Sequence, residues 1–177
     1  MELLKGGINM DVTFKGIKVT LEGNTISLGD NAPDFEALDI GLTPVKLSDF
    51  DSKFIVISVV PSLDTGVCDF QTKRFNELVT DFDDVTLITI SNDLPFAQKR
   101  WCGSEGLENI ITLSDHKDLD FAKKYGTLMK EHRLLARSLF VLDNNREVVY
   151  KEFAPEASEH LNYEKFLAEL EVLRRNS

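Results

Sequence analysis

The run Phe54-Ile55-Val56-Ile57-Ser58-Val59-Val60 is apolar almost throughout and rich in β-branched residues, the pattern of a strand buried on both faces. A helical pattern follows from about Asp69 to Phe82, with Phe70, Phe75, Leu78, Val79 and Phe82 as its apolar stripe. A second β-branched run, Val85 to Ser91, comes next. Strand, helix and strand in this order predict a β-α-β unit at the heart of an α/β fold. The turn joining the first strand to the helix is Pro61-Ser62-Leu63-Asp64-Thr65-Gly66-Val67-Cys68, so a cysteine sits where the helix begins. Unpaired N–H groups in a helix's first turn carry partial positive charge and favour an anion, which makes Cys68 a candidate thiolate nucleophile. A lone cysteine beside an apolar strand is more often an inert core residue, so its neighbours must decide.

The only other cysteine, Cys102, lies 34 positions on, in Trp101-Cys102-Gly103-Ser104-Glu105-Gly106. One intrachain disulfide partner therefore exists. Two widely spaced cysteines and the scattered His116, His132 and His160 lack the tight ligand pairs of common zinc sites, so no metal is expected. The net charge of −10 repels phosphate backbones and anionic lipid surfaces, which argues against nucleic-acid and membrane partners. No run of about 18 apolar residues occurs, and the first residues lack a signal-peptide pattern; the chain reads as cytoplasmic. In that reducing setting a reversible disulfide is expected rather than a structural one.

Residues 11–177 are expected to form one domain. Residues 1–10 are read as a flexible leader, with Met10 either a second start or the first residue after an added segment. Val12 to Phe14 and Ile17 to Leu21, separated by Lys15-Gly16, alternate apolar and polar residues and predict an N-terminal β-hairpin. After Pro95 a short helix carrying Phe96 and Trp101 is predicted, then a strand at Ile110 to Leu113 and a helix at Leu119 to Tyr125. Ser138 to Leu142 and Glu147 to Phe153 flank a turn-rich segment, giving a second hairpin, and a final helix spans Tyr163 to Arg174. This order matches a thioredoxin-like fold, a mixed central β-sheet flanked by helices, here with the added N-terminal hairpin. The thioredoxin Cys-x-x-Cys is absent, because Thr65 and Gln71 stand three before and three after Cys68.

Pro61, Thr65 and Cys68 have the spacing Pro-x-x-x-Thr-x-x-Cys, and the segment through Phe96-Ala97-Gln98-Lys99-Arg100-Trp101-Cys102, then Leu135-Ala136-Arg137-Ser138, extends the pattern. The chain resembles the thiol peroxidase subfamily of the peroxiredoxins over nearly its whole length after Met10. The resemblance implies that Cys68 is the peroxidatic cysteine, Cys102 the resolving cysteine of the same chain, and Arg137 the active-site arginine. It also implies no cofactor, hydroperoxide substrates with a preference for alkyl hydroperoxides, recycling by thioredoxin or a similar dithiol, and a homodimer. Attack on a peroxide needs donors for the charge moving along the breaking O–O bond. Arg137 suits that need, the Thr65 hydroxyl can bridge sulfur and peroxide, and Pro61 can shape the pocket wall. Asp64 disfavours an anion beside it, so it must point away or be outweighed. Disulfide formation requires Cα atoms within about 7 Å, which predicts local unwinding around both cysteines during turnover. The competing reading is a redox sensor or relay that passes oxidation to a partner protein.

Overall fold

The computed structural model describes residues 11–107 and 110–177. The expected leader at 1–10 lies outside them. Val12–Phe14 (β1) and Ile17–Val19 (β2) pair antiparallel across Lys15 and Gly16, both at positive φ (51° and 78°), as a two-residue hairpin turn requires. The second strand is shorter than expected. Leu21–Glu22 (β3) leaves the hairpin and pairs with Leu128–Met129 (β9), which also pairs with Leu134–Leu135 (β10).

The central sheet has seven strands. Glu36–Leu38 (β4) and Pro44–Lys46 (β5) form a hairpin at one edge, Phe54–Val59 (β6) and Val85–Ser91 (β7) lie in the middle, Ile111–Ser114 (β8) joins β7 to β4, and Ser138–Leu142 (β11) with Val148–Phe153 (β12) completes the other edge. The order is β12-β11-β6-β7-β8-β4-β5, with β6, β7 and β8 parallel and the remaining pairs antiparallel, a mixed sheet. Its helices are Gly66–Val79 (α1), Pro95–Ser104 (α2), Asp120–Tyr125 (α3) and Tyr163–Arg175 (α4). The β4–β5 hairpin was not legible as strands; its turn is organised by Asp39, whose Oδ1 accepts from the N–H groups of Gly41 and Thr43.

Every residue of β6 is buried, and its alternation divides the core. Ile55, Ile57 and Val59 face a cluster with Phe35, Phe121 and Tyr125, whereas Phe54 and Val56 face Phe75, Val79, Phe166 and Leu170 of α1 and α4. Ser58 falls on the α1 face of this alternation, where it meets a helix side chain described below. The helix α1 starts three residues earlier than expected, because Thr65 takes the extended conformation of an N-cap and its carbonyl accepts the first helical bond from Asp69 N–H at 2.9 Å. Phe70 is not part of the core stripe. It is 48% exposed and packs edge-on against His160 and beside Tyr163. Phe96 is likewise exposed rather than core. Gly126, at φ 66°, ends α3 where an added Cβ would lie 2.4 Å from the Asn24 carbonyl oxygen.

Candidate active site

Cys68 is the third residue of α1, directly beyond the C-terminal end of β6, and is completely buried. The early helix start places it inside the first turn, where backbone N–H groups lack helical partners. Arg137, the residue before β11, reaches across the sheet and donates from Nη2 to Cys68 Sγ at 3.1 Å. The adjacency follows from topology. The strands β6 and β11 are antiparallel neighbours with Ser138 opposite Val59, so the start of β11 lies beside the end of β6.

The guanidinium is held on all sides. Its Nη1 donates to Gln71 Oε1 at 2.8 Å and its Nε to the Ala157 carbonyl at 2.9 Å, and the side chain is 2% exposed. Gln71 is fixed in turn, its Nε2 donating to Ser58 Oγ at 2.8 Å. A buried cation normally requires compensation. Here two neutral oxygens and one sulfur surround it, so the sulfur is the acceptor that gains most from carrying negative charge.

The turn before Cys68 is pinned by Asp93, which accepts from Ser62 Oγ at 2.7 Å, Leu63 N–H at 2.8 Å and Ser91 Oγ at 2.8 Å. Pro61 is buried at the head of this turn. Thr65 is exposed, and its hydroxyl donates to the Ser62 carbonyl at 3.2 Å. Asp64 points away from the sulfur and pairs with Arg100 of α2 at 2.7 Å.

Cys102 lies in α2, 3% exposed, in one small apolar cluster with Cys68, Val60, Leu63 and Trp101. Both sulfurs are free. Burial pushes the Cys102 thiol up, against a weak opposing contact with Thr112. The first turn of α1 is laced to α2 by Trp101 Nε1 donating to Asp69 at 3.0 Å and by Lys73 between Asp69 and Glu105 at 2.9 and 2.6 Å. The hydrogen bond to Glu105, then that to Asp69, raises the Lys73 ammonium above its ordinary range.

A family model described as Redoxin matches residues 27–167. The thiol peroxidase of Bacillus subtilis is 54% identical over 155 residues, 88% of this chain and 93% of that protein. This chain belongs to the thiol peroxidases of the redoxin family. The thiol peroxidase of Listeria innocua is 55% identical over 86% of the chain and 93% of its own length. Among solved structures, a peroxiredoxin-like protein from Aquifex aeolicus superposes with a TM-score of 0.86 at 36% identity, covering 93% of this chain and 97% of that one. The thioredoxin-like fold expected from the sequence is that of the family.

The structure thus gathers Cys68 and Arg137 into direct contact, puts Cys102 in the same apolar cluster, and leaves the Thr65 hydroxyl turned to the backbone. Gln71, Asp93 and Ala157 were missed as partners. A buried-type glutamine three residues after a candidate nucleophile, on the same helical face, was the signal for Gln71; an aspartate two residues beyond the end of a core strand was the signal for Asp93. Nothing in the sequence marked the Ala157 carbonyl. Among the described residues no helix is long and apolar enough to cross a membrane.

Proposed function

We propose that the chain is a thiol-dependent peroxidase that reduces hydrogen peroxide and, preferentially, alkyl hydroperoxides. The observation that carries this reading is the 3.1 Å contact of the buried Arg137 guanidinium with Cys68 Sγ at a helix N-terminus, in a chain 54% identical to a thiol peroxidase. The Cys68 thiolate attacks the hydroxyl oxygen of the hydroperoxide. An S–O bond forms, the O–O bond breaks, and the electron pair leaves on the alkoxide, which takes a proton to become alcohol. Arg137 stabilises the charge as it moves from sulfur to oxygen. The Thr65 hydroxyl commits its proton to Ser62, which leaves its lone pairs to accept the O–H of the peroxide. Pro61 has no N–H and walls the turn against water.

Cys68 is left as sulfenic acid. Cys102, as thiolate, attacks that sulfur; an S–S bond forms, the S–O bond breaks and hydroxide leaves as water. Both sulfurs belong to helices, and their joining requires the first turn of α1 and the end of α2 to unwind, breaking the Asp69–Trp101 and Lys73–Glu105 ties. Unwinding also exposes Cys102 to water, which lowers the cost of its ionisation. Thioredoxin or a similar dithiol then reduces the disulfide by exchange. A cytoplasmic homodimer completes the reading. The test is turnover with thioredoxin, thioredoxin reductase and NADPH as the donor system: many equivalents of cumene hydroperoxide consumed per chain support it, and a single stoichiometric oxidation overturns it in favour of a relay.

A further inference from the structure

The N-terminal hairpin β1–β2 is an addition to the thioredoxin-like sheet, and it packs against the residues that bracket Arg137. Val12 and Val19, both buried, form a small cluster with Met129, Ala136 and Ala157. Ala136 precedes Arg137 in the chain, and Ala157 supplies the carbonyl that receives Arg137 Nε at 2.9 Å. The other end of that residue is fixed by the hairpin, because Ala157 N–H donates to the Thr13 carbonyl at 2.7 Å, while Thr13 N–H donates to the Pro155 carbonyl at 2.8 Å.

Between them stands Glu156, which faces the hairpin and not the active site. Its Oε1 accepts from Gly16 N–H at 2.7 Å and from Thr13 Oγ1 at 3.2 Å, and its Oε2 accepts from Ser158 N–H and Oγ, both at 2.6 Å. Desolvation opposes ionisation of this carboxyl, but the four hydrogen bonds outweigh it and draw the group down to about 2. One carboxylate therefore ties the hairpin turn to the loop that presents the Ala157 carbonyl.

The geometry points to Glu156 and the hairpin as positioning elements for the active-site arginine: the clamp sets the Ala157 carbonyl, and the carbonyl sets the guanidinium against Cys68. This inference rests on the proposed role of Arg137. An arginine side chain has many rotamers, and three anchoring acceptors select one of them. Loosening the Ala157 anchor leaves Gln71 as the only other fixed partner and spreads the Nη2 position relative to the sulfur.

The test compares Glu156→Ala, Glu156→Gln and Thr13→Val with Arg137→Lys and with Arg174→Ala, which breaks the remote Arg174–Asp84 pair and serves as a stability control. Three quantities are read in the full chain: the second-order rate of oxidation by cumene hydroperoxide, the rate of Cys68 alkylation by iodoacetamide at pH 7, and exchange of the Arg137 Nε–H by NMR. Glu156→Ala is expected to slow oxidation about tenfold and to hasten Nε–H exchange, with Arg174→Ala at wild-type rate. Glu156→Gln, which keeps the shape and two acceptor lone pairs, is expected to fall between, and it stands in if the alanine variant does not fold. Wild-type oxidation and wild-type Nε–H exchange in the Glu156 variants, with Arg137→Lys slow, overturn the inference and leave the role of Arg137 intact. A wild-type rate in Arg137→Lys overturns that role and the inference with it.

Discussion

Replacing Arg137 by methionine separates two roles proposed for the guanidinium. The substitution keeps an unbranched, buried-compatible side chain but removes the donors to Gln71 Oε1, the Ala157 carbonyl and Cys68 Sγ. Gln71 and Ala157 are fully buried, so two acceptors lose their partner out of reach of solvent. Each such orphan costs about 1–3 kcal/mol, so unfolding free energy should fall by about 2–6 kcal/mol, partly offset because burial of a cation is itself unfavourable. The rate effect is separate. Loss of one preorganised donor to a transition state's moving charge costs about 100- to 1000-fold. Trp101, the only tryptophan, shares the apolar cluster of both cysteines, so stopped-flow tryptophan fluorescence follows oxidation directly. Urea unfolding gives the stability. A folded Arg137→Met protein oxidised within about threefold of the wild-type rate would refute the reasoning.

Three further outcomes are expected. Cys102→Ser should retain one stoichiometric reaction with hydroperoxide, lose thioredoxin-dependent turnover and accumulate sulfinic acid at Cys68 under excess peroxide; sustained turnover contradicts the resolving role. Asp93→Ala frees Ser62 Oγ, Leu63 N–H and Ser91 Oγ, and should slow Cys68 oxidation about tenfold through a loosened turn, measured by the same stopped-flow signal; an unchanged rate removes Asp93 from the account. Asp115 is pushed up to about 6 by burial, with Asp120 and Asp118 adding to the shift and the N–H groups of Ala122 and Phe121 opposing it. Its folded value exceeds its unfolded one of 3.8, so the native state holds the proton more tightly. Its contribution to stability is full below about pH 4 and is lost as pH rises through 6, by about 3 kcal/mol. Urea midpoints of wild type and Asp115→Asn should therefore diverge across this window, and parallel pH profiles would contradict the assignment.

The central strands and helices were legible because β6, β7 and α1 carry long, unmixed patterns: the six consecutive β-branched or small buried residues from Ile55 to Val60 admit few alternatives. The start of α1 was missed by three residues because Gly66 and Val67 add nothing to the apolar stripe, and only the extended Thr65 backbone reveals the cap. Strands of two or three residues, such as β3, β4 and β9, hold too few positions for a period to emerge. The site was readable in part. Cys68 was singled out by its place after a buried strand together with the Pro61-Thr65-Cys68 spacing, but Arg137, 69 residues away, was legible only through its place ahead of β11 and the resemblance that supplied its role. Side-chain rotation is local physics beyond any spacing rule, so the Thr65 hydroxyl, expected near the sulfur, is found on the Ser62 carbonyl. Asp84 pairs with Arg174 at 2.7 Å, a contact between the α1–β7 loop and the end of α4 that sequence distance conceals.

The most direct test of the account adds one equivalent of cumene hydroperoxide to fully reduced protein, quenches within seconds, and maps the products by non-reducing peptide mass spectrometry. An intrachain disulfide between the Cys68 and Cys102 peptides is the expected product. Two unmodified thiols, or Cys68 joined to another chain, would contradict it.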